Sequence, residues 1–225
     1  NTLRQTGLSR NTVILLTADH GDMLGEHGLW FKKHFFDHAS RVPLIVHAPE
    51  YFSNGRSLVN VSLVDLLPTL CDLARFKVAE HAPQTLDGSS LVSQCEHPEH
   101  SNSGAVYAEI TSEGVPAPMF MVRSGQYKLI QGGDVPPVLY DLANDPEERS
   151  NMADEPELTD TQRSLESLIQ DCWDPASLER DIRLSQRRRR LVHAAHQKGT
   201  APTWDHRPED PTVPWIHRGP ELYND

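Results

Sequence analysis

Residues 13–22 read Val-Ile-Leu-Leu-Thr-Ala-Asp-His-Gly-Asp, and this stretch decides how the chain is interpreted. The aliphatic run before Thr17 has the composition of a central parallel strand that is covered on both faces. The run stops at Asp19 and His20, and in open α/β sheets ligands bind beyond the carboxyl ends of the strands. The sequence therefore predicts a metal site held by Asp19 and His20 at the end of a buried strand.

The residue types around this strand end suit chemistry on an oxyanion. A carboxylate is a hard oxygen donor and an imidazole a borderline nitrogen donor, so the pair accepts Ca²⁺, Mg²⁺, Mn²⁺ or Zn²⁺. Lys32 follows a glycine-containing segment at 25–28 and supplies a positive charge for an anionic substrate. The combination predicts metal-assisted hydrolysis of a sulfate or phosphate ester. Alone, the Asp-His-Gly tripeptide also fits a plain turn.

Composition narrows the class of partner. The 225-residue chain has a formal net charge of −11, which argues against non-specific binding to nucleic acid despite four consecutive arginines at 187–190. No apolar run approaches the roughly 20 residues that a membrane helix requires, so no membrane partner is expected. Three scattered cysteines give no disulfide framework. Their scatter favours a cytoplasmic protein, with the periplasm as the alternative.

Periodicity predicts an α/β protein with three parts. Residues 1–103 are expected to belong to a parallel-sheet core, with a second buried strand at 44–47 and a helix at 60–74. Residues 104–155 contain four strand-like runs with glycine turns, which predicts an antiparallel subdomain. Residues 156–225 show two helical patterns and then a proline-rich tail with aromatic residues, which predicts an arm docked at an oligomer interface. The strand runs lie at 105–110, 119–123, 127–131 and 138–142, and the helices at 156–172 and 174–196.

Two sets of motifs resemble one known family. The first is Thr17-x-Asp-His-Gly-Asp-Met-x-Gly-Glu-x-Gly-Leu-Trp-x-Lys32, followed by Arg41-Val-Pro-Leu-Ile45. It looks like the second half of a sulfatase, a family of the alkaline phosphatase superfamily. The second set, at 185–193 and in the acidic tail, is similar to the C-terminal extension of choline sulfatases. The resemblance implies the C-terminal part of an alkaline-phosphatase-like parallel-sheet core with a small antiparallel subdomain.

The resemblance implies a role for each matching residue. Asp19 and His20 correspond to two metal ligands, with Ca²⁺ expected and Mn²⁺ or Mg²⁺ as alternatives. Lys32 corresponds to the lysine that contacts the sulfate oxygens. Glu109 and an acidic group of a neighbouring subunit's extreme tail, Asp225, are expected to contact the quaternary ammonium of choline. The implied protein is a homo-oligomer that hydrolyses choline-O-sulfate to choline and sulfate.

One departure from the family pattern concerns the nucleophile. Sulfatases carry a formylglycine made from Cys or Ser in a Cys/Ser-x-Pro/Ala-x-Arg motif. Cys71 has Arg75 at the right spacing, but Leu73 stands where Pro or Ala is required, and the other two cysteines do not fit either. The family's two early aspartate ligands also have no matching segment. We therefore expect the chain to be the C-terminal part of a longer enzyme, inactive without a formylglycine-bearing N-terminal half.

Two alternatives remain open from the sequence. A phosphonate or phosphate monoester hydrolase of the same superfamily would have the same metal ligands and the same lysine. A non-catalytic remnant whose tail mediates oligomerisation would fit the missing nucleophile motif. Both differ from a choline sulfatase in the substrates that the complete protein turns over.

Overall fold

The structure is a computed structural model that describes residues 2–77, 85–100, 104–111 and 114–199. The chain divides into two units, Asn1–Glu179 and Arg180–Asp225. The tail from residue 201, which includes the candidate Asp225, lies outside the described residues. The three-part division of the chain stays a prediction.

The first predicted strand forms, but it does not pair in parallel. β1 (Ile14–Thr17) pairs antiparallel with β4 (Leu44–His47), and Leu16 lies opposite Ile45. A parallel pair requires a crossover of a dozen or more residues, usually a helix. The connection here contains a single α-helix of four residues, and the two strands run antiparallel instead. The expected burial on both faces is also wrong, because Leu16 and Ile45 are 54% and 58% exposed.

The connection between β1 and β4 carries the predicted site residues. β2 (Met23–Leu24) and β3 (Trp30–Phe31) form a two-stranded hairpin, and α2 (Asp37–Ser40) follows. Within this segment Met23 and Ala39 are buried. These buried side chains anchor a segment that also contains strongly exposed residues such as Trp30 and Phe31.

The predicted helix at 60–74 forms over residues 63–73 and begins with a capping box. Ser62 and Asp65 make a reciprocal capping box at the start of a 3-10 turn, and α3 (Leu66–Leu73) follows directly. Pro68 lies in the first turn of α3, where its missing N–H removes little intrahelical bonding. The proline therefore marks the start of the helix. The other short helices described here are α1 (Thr2–Gln5) and α4 (Val92–Glu96).

The predicted antiparallel arrangement of four strands is confirmed. Its strands follow one another in the order β5-β6-β7-β8. Alternation along each strand places one set of apolar side chains on each face. The strands are β5 (Ala105–Ile110), β6 (Met119–Ser124), β7 (Tyr127–Gly132) and β8 (Val135–Asp141).

Both faces of this four-stranded sheet are covered. α5 (Thr159–Cys172) packs Leu165 and Ile169 against the face that carries Val122 and Leu129, as its amphipathic pattern predicts. On the other face, Phe35 packs in a cluster with Met121, Ile130 and Tyr140. Phe35 comes from the segment just before α2. The part of the chain that carries the predicted site residues therefore also covers the sheet.

The last described helix is α6 (Pro175–His196), close to the predicted bounds. The boundary between the two units falls within it. It has no buried residue, and Leu191 and Val192 on it are exposed. Across the described parts of the chain, no helix is both long enough and apolar enough to cross a bilayer.

Candidate active site

Asp19 and His20 lie immediately beyond the carboxyl end of β1, and the structure brings them together with Lys32. His20 Nε2 is 3.3 Å from Asp19 Oδ2 and 2.9 Å from Lys32 Nζ. Asp19 Oδ1 also accepts the backbone N–H of His20 at 3.0 Å. The side chain of Asp19 is 84% exposed and that of His20 31% exposed. Asp19, His20 and Lys32 thus form an open polar cluster, which we call the candidate site.

The orientation of the His20 ring leaves one nitrogen suited to bind a metal. Nδ1 lies 2.8 Å from the carbonyl oxygen of Gly21, which can only accept a hydrogen bond. Nδ1 therefore carries the proton of the neutral ring, and Nε2 presents its lone pair. Metal-binding histidines commonly donate their second nitrogen to a backbone carbonyl, because this bond fixes the tautomer and the ring direction. In this structure the Nε2 lone pair accepts a hydrogen bond from the Lys32 ammonium.

Gly21 sets the backbone next to His20. Its N–H donates to the carbonyl oxygen of Ala39 at 2.9 Å. A Cβ at this position would lie 2.0 Å from the carbonyl oxygen of His38, a distance that no side chain can occupy. The glycine is therefore required by the close approach of α2. The Asp-His-Gly tripeptide is therefore a packed junction between the end of β1 and α2. A plain surface turn would have no such close contact.

Lys32 follows β3 in a segment with unusual backbone angles. Phe31 has φ 70° and His27 has φ 53°, in the left-handed region that costs a non-glycine residue roughly 1–2 kcal/mol. Glu26 accepts the backbone N–H of Leu24 at 2.6 Å. Backbone hydrogen bonds from Leu24 and from Glu26 itself lower the pKa of the Glu26 carboxyl. Local bonds of this kind, together with the short hairpin, hold the loop that presents Lys32.

Three further histidines, His27, His34 and His38, lie near this segment, and their contacts differ from those of His20. The His27 ring stacks on Phe36 with centroids 4.1 Å apart, and the His34 ring is tilted against the same phenylalanine at 6.4 Å. His38 Nδ1 is buried and has no hydrogen-bond partner among the described residues. The packing of His27 and His34 around Phe36 orders the loop between Lys32 and α2.

A buried ionic network that the sequence did not predict lies beside this segment. Lys128 and Glu148 are each 1% exposed, and Lys128 Nζ donates to Glu148 Oε1 at 2.7 Å. The Asp-Pro-Glu-Glu sequence at 145–148 is typical of a turn with a helix cap, and a turn does form there. Its last glutamate is nevertheless a buried ion-pair partner. The signal that the sequence offers is a lone lysine inside the apolar run of β7.

The two predicted choline contacts are not tested by the structure. Glu109 is an exposed residue of β5 and lies opposite Phe120 of β6. Asp225 is outside the described residues. Both assignments stay predictions.

The donor set of the candidate site fits a divalent cation. Two ligand atoms at about 2.0–2.4 Å from one cation lie roughly 3 Å apart, and Asp19 Oδ2 and His20 Nε2 are separated by 3.3 Å. Such a cation requires four or more ligands. In the part of the chain that the structure describes, the candidate site supplies these two.

The chain is similar to the C-terminal parts of sulfatases. Residues 25–174 match the family described as N-sulphoglucosamine sulphohydrolase, C-terminal, and residues 180–213 match the family described as choline sulfatase enzyme C terminal. The choline-sulfatase of Rhizobium meliloti (strain 1021) is 38% identical over 92% of this chain. The chain spans 40% of the length of that relative.

Solved structures share the fold over a similar range. BT1596, a 2-O GAG sulfatase, is 33% identical with a TM-score of 0.62, covering 75% of this chain and 37% of that protein. The phosphonate monoester hydrolase of Agrobacterium radiobacter is 26% identical with a TM-score of 0.60, covering 80% of this chain and 37% of that protein. Because the first family match covers residues 25–174 of the 225, the chain belongs to the sulfatase family.

Proposed function

We propose that this chain is the C-terminal part of a metal-dependent sulfuric ester hydrolase that converts choline-O-sulfate to choline and sulfate. The observation that carries the proposal is the convergence of Asp19 and Lys32 on one imidazole nitrogen of His20, at 3.3 and 2.9 Å. A cation-binding pair beside an ammonium group suits hydrolysis of an ester of a strong oxyacid. The 38% identity with a choline-sulfatase supports this choice of substrate.

We propose further that an N-terminal half bearing the formylglycine completes the site. The candidate site supplies two ligands among the described residues, and the chain spans 40% of the choline-sulfatase to which it is similar. Exposed apolar patches on soluble proteins mark interaction sites. Such a patch lies on the β1–β4 pair at Ile14, Leu16 and Ile45. We expect the rest of the protein, including parallel strands of the core, to cover it.

Each residue of the candidate site would have its own role in the reaction. Asp19 and His20 Nε2 would hold the cation, which on binding polarises the sulfate and lowers the pKa of the formylglycine-derived nucleophile. With Nδ1 protonated on the Gly21 carbonyl and the Nε2 lone pair taken by the cation, the ring would have no basic nitrogen left, so His20 would serve as a ligand and not as a general base. The cation would replace Lys32 at His20 Nε2, and the released Lys32 ammonium would donate hydrogen bonds to the sulfate oxygens, where negative charge grows in the transition state.

The proposal is tested on the complete protein with two substitutions in the candidate site. Asp19→Ala should lower metal content and turnover of choline-O-sulfate together, because it removes a ligand. Lys32→Ala should lower kcat on the order of 10²–10³-fold while metal content stays near that of the parent, because it removes a charge that acts on the substrate. Metal content is measured by plasma mass spectrometry and turnover by sulfate release.

Lys33→Ala is the matched control, since Lys33 is the exposed neighbour of Lys32. It should retain turnover within a few-fold of the parent. Full turnover in Lys32→Ala would show that the role assigned to Lys32 is wrong. A complete protein that binds metal yet hydrolyses no sulfate or phosphonate ester would support the non-catalytic remnant instead.

A phosphonate monoester hydrolase is the second candidate function. The structural similarity to the Agrobacterium radiobacter phosphonate monoester hydrolase, with a TM-score of 0.60, favours it. The match of residues 180–213 to the choline sulfatase C terminus favours the first proposal. Comparing kcat/KM of the complete protein for choline-O-sulfate and for an aryl phosphonate monoester decides between them.

We also propose that the C-terminal tail joins copies of this protein. The match to the choline sulfatase C terminus covers residues 180–213, so it extends beyond α6 into the tail after residue 199. Ending the complete protein after residue 199 should lower its oligomeric mass in light scattering. An unchanged mass would exclude the tail as the assembly element.

A further inference from the structure

Lys128 occupies an unusual position for a lysine. It is 1% exposed, within a β7 run whose neighbours Leu129 and Ile130 are also buried. Its ammonium donates to the Phe35 carbonyl oxygen at 2.9 Å and to Glu148 Oε1 at 2.7 Å, and it also pairs with Asp37 Oδ1. All three of its hydrogens therefore have partners. Two of these partners, Phe35 and Asp37, belong to the segment between Lys32 and the end of α2.

The two carboxylates that pair with Lys128 each have a further partner. Glu148 Oε2 accepts the backbone N–H of Asp37 at 2.6 Å, at the start of α2. Asp37 Oδ2 lies 3.4 Å from Arg123 Nη1 on β6. Two carboxylates thus face two cations from neighbouring strands of the four-stranded sheet. We refer to Asp37, Arg123, Lys128 and Glu148 as the anchor network.

Stability alone does not account for such a network. Burying charges in place of apolar side chains contributes little net stability, because desolvation offsets most of the attraction. What a buried, directional network adds is a fixed position for the groups that it bonds. Here those groups are the Phe35 carbonyl oxygen, the Asp37 N–H and the Asp37 carboxylate.

A short path of contacts leads from the anchor network to the candidate site. α2 begins at Asp37, and its Ala39 carbonyl oxygen accepts the N–H of Gly21. The His38 carbonyl oxygen lies so close to Gly21 that a Cβ would not fit. The Gly21 carbonyl oxygen in turn accepts the Nδ1 proton of His20.

We propose that Lys128 is a positioning residue, which holds α2 against the four-stranded sheet and thereby fixes Gly21 and the ring of His20. This inference rests on the proposed function only for its catalytic consequence. Binding groups act efficiently when they are held within about 0.5 Å of their working position. The hairpin that precedes Lys32 has strands of only two residues. A segment with so little sheet of its own depends on the anchor network for a defined position.

The test uses the 225-residue chain without metal or substrate. Lys128→Met removes the charge and keeps a side chain of similar length. Amide exchange at Gly21 is expected to rise at least about tenfold, because local opening of α2 breaks its bond to Ala39. In ¹⁵N spectra of the histidine rings, His20 is expected to change from the Nδ1-protonated tautomer to a mixture.

Val122→Ala is the matched control. Val122 is fully buried on the other face of the same sheet, in the cluster that packs against α5. It should lower the stability of the sheet and leave both the Gly21 exchange rate and the His20 ring signals near those of the parent. If Lys128→Met does not fold, Glu148→Gln keeps the shape of the network and weakens its charge pairing, and the same two signals are read.

Two outcomes would overturn the proposal. In one, a folded Lys128→Met or Glu148→Gln chain shows parental exchange at Gly21 and parental His20 signals. In the other, Val122→Ala changes both signals as strongly as Lys128→Met does. Both measurements stay valid if the complete protein hydrolyses no ester. If the complete protein does hydrolyse an ester, Lys128→Met should lower its kcat/KM on the order of 10–100-fold. Parental turnover in that variant would refute only the catalytic consequence and leave the structural role of Lys128 in place.

Discussion

The four-stranded sheet and the β1–β4 pair are both antiparallel, but they differ in what covers them. Leu129 and Leu139 of the sheet are fully buried, between α5 on one side and the Phe35 segment on the other. Leu16 and Ile45 of the strand pair are more than half exposed. Both regions are built from the same aliphatic residue types. The difference therefore lies in which neighbouring elements this chain supplies to cover each of them.

Apolar side chains in the two regions differ in what they do for the chain. In the four-stranded sheet, apolar side chains stabilise this chain directly, since their surface is removed from water. In the β1–β4 pair, equally apolar side chains contribute little to the stability of this chain, because they stay exposed. They can still pack against another protein surface. The candidate site lies at the end of the second region and is anchored through α2 to the first.

The largest expected effect contrasts one leucine from each region. Leu139→Ala should lower the free energy of unfolding by about 2–5 kcal/mol, because it leaves a cavity in a covered core. Leu16→Ala removes the same atoms from a half-exposed position and should change that free energy by no more than about 0.5 kcal/mol. Urea denaturation of the 225-residue chain measures both. A loss of more than 2 kcal/mol in Leu16→Ala would mean that the β1–β4 pair is covered in solution.

The sequence predicted the covered region better than the exposed one. Strands β5 to β8 are runs rich in apolar residues, and glycine-containing segments separate them, so local patterns define them. The short run of β1 predicts a strand, but it carries no information on the direction of its partner. That direction depends on the connection to β4, which contains a short hairpin and a four-residue helix and no crossover helix.

The residues in and around the candidate site also differ in how well the sequence predicted them. Asp19, His20 and Lys32 could be predicted because a short motif carries all three. The anchor network could not, because Lys128 and Asp37 are 91 positions apart and Lys128 and Glu148 are 20 apart. Such pairs form only after the sheet and α2 are packed together. A lone lysine inside an apolar strand run shows that a partner is needed without showing which residue provides it.

The second prediction concerns the junction between β1 and α2. Gly21→Ala should lower the free energy of unfolding by about 1–3 kcal/mol, because the added Cβ overlaps the His38 carbonyl oxygen and forces the backbone to shift. Gly104→Ala is the control, since a Cβ there meets nothing within 4 Å. Urea denaturation again supplies the measurement. Equal stability of the two variants would mean that α2 does not approach Gly21 in solution.

The third prediction compares two aspartates at strand ends. Asp141, the last residue of β8, is 6% exposed, whereas Asp19 beyond β1 has an 84% exposed side chain. Burial raises the pKa of Asp141, but hydrogen bonds from Asn144, from Gln126 and from backbone N–H groups outweigh it, and the net pKa is lowered. A carboxyl with a lowered folded-state pKa stabilises the fold above its unfolded-state pKa of about 3.9.

The stability contributed by Asp141 is therefore fully present above about pH 4 and is lost as the pH falls through the lower folded-state pKa. Asp141→Asn should reduce the difference in free energy of unfolding between pH 7 and pH 3, because the amide does not titrate. Asp134→Asn, in the exposed turn between β7 and β8, serves as the control and should retain most of the parental difference. If Asp141→Asn retains it as well, the bonds from Gln126 and Asn144 do not favour the ionised carboxyl in solution. The polar groups at the end of β8 would then be no better satisfied than those at the end of β1, and the contrast between the two regions would be confined to their apolar side chains.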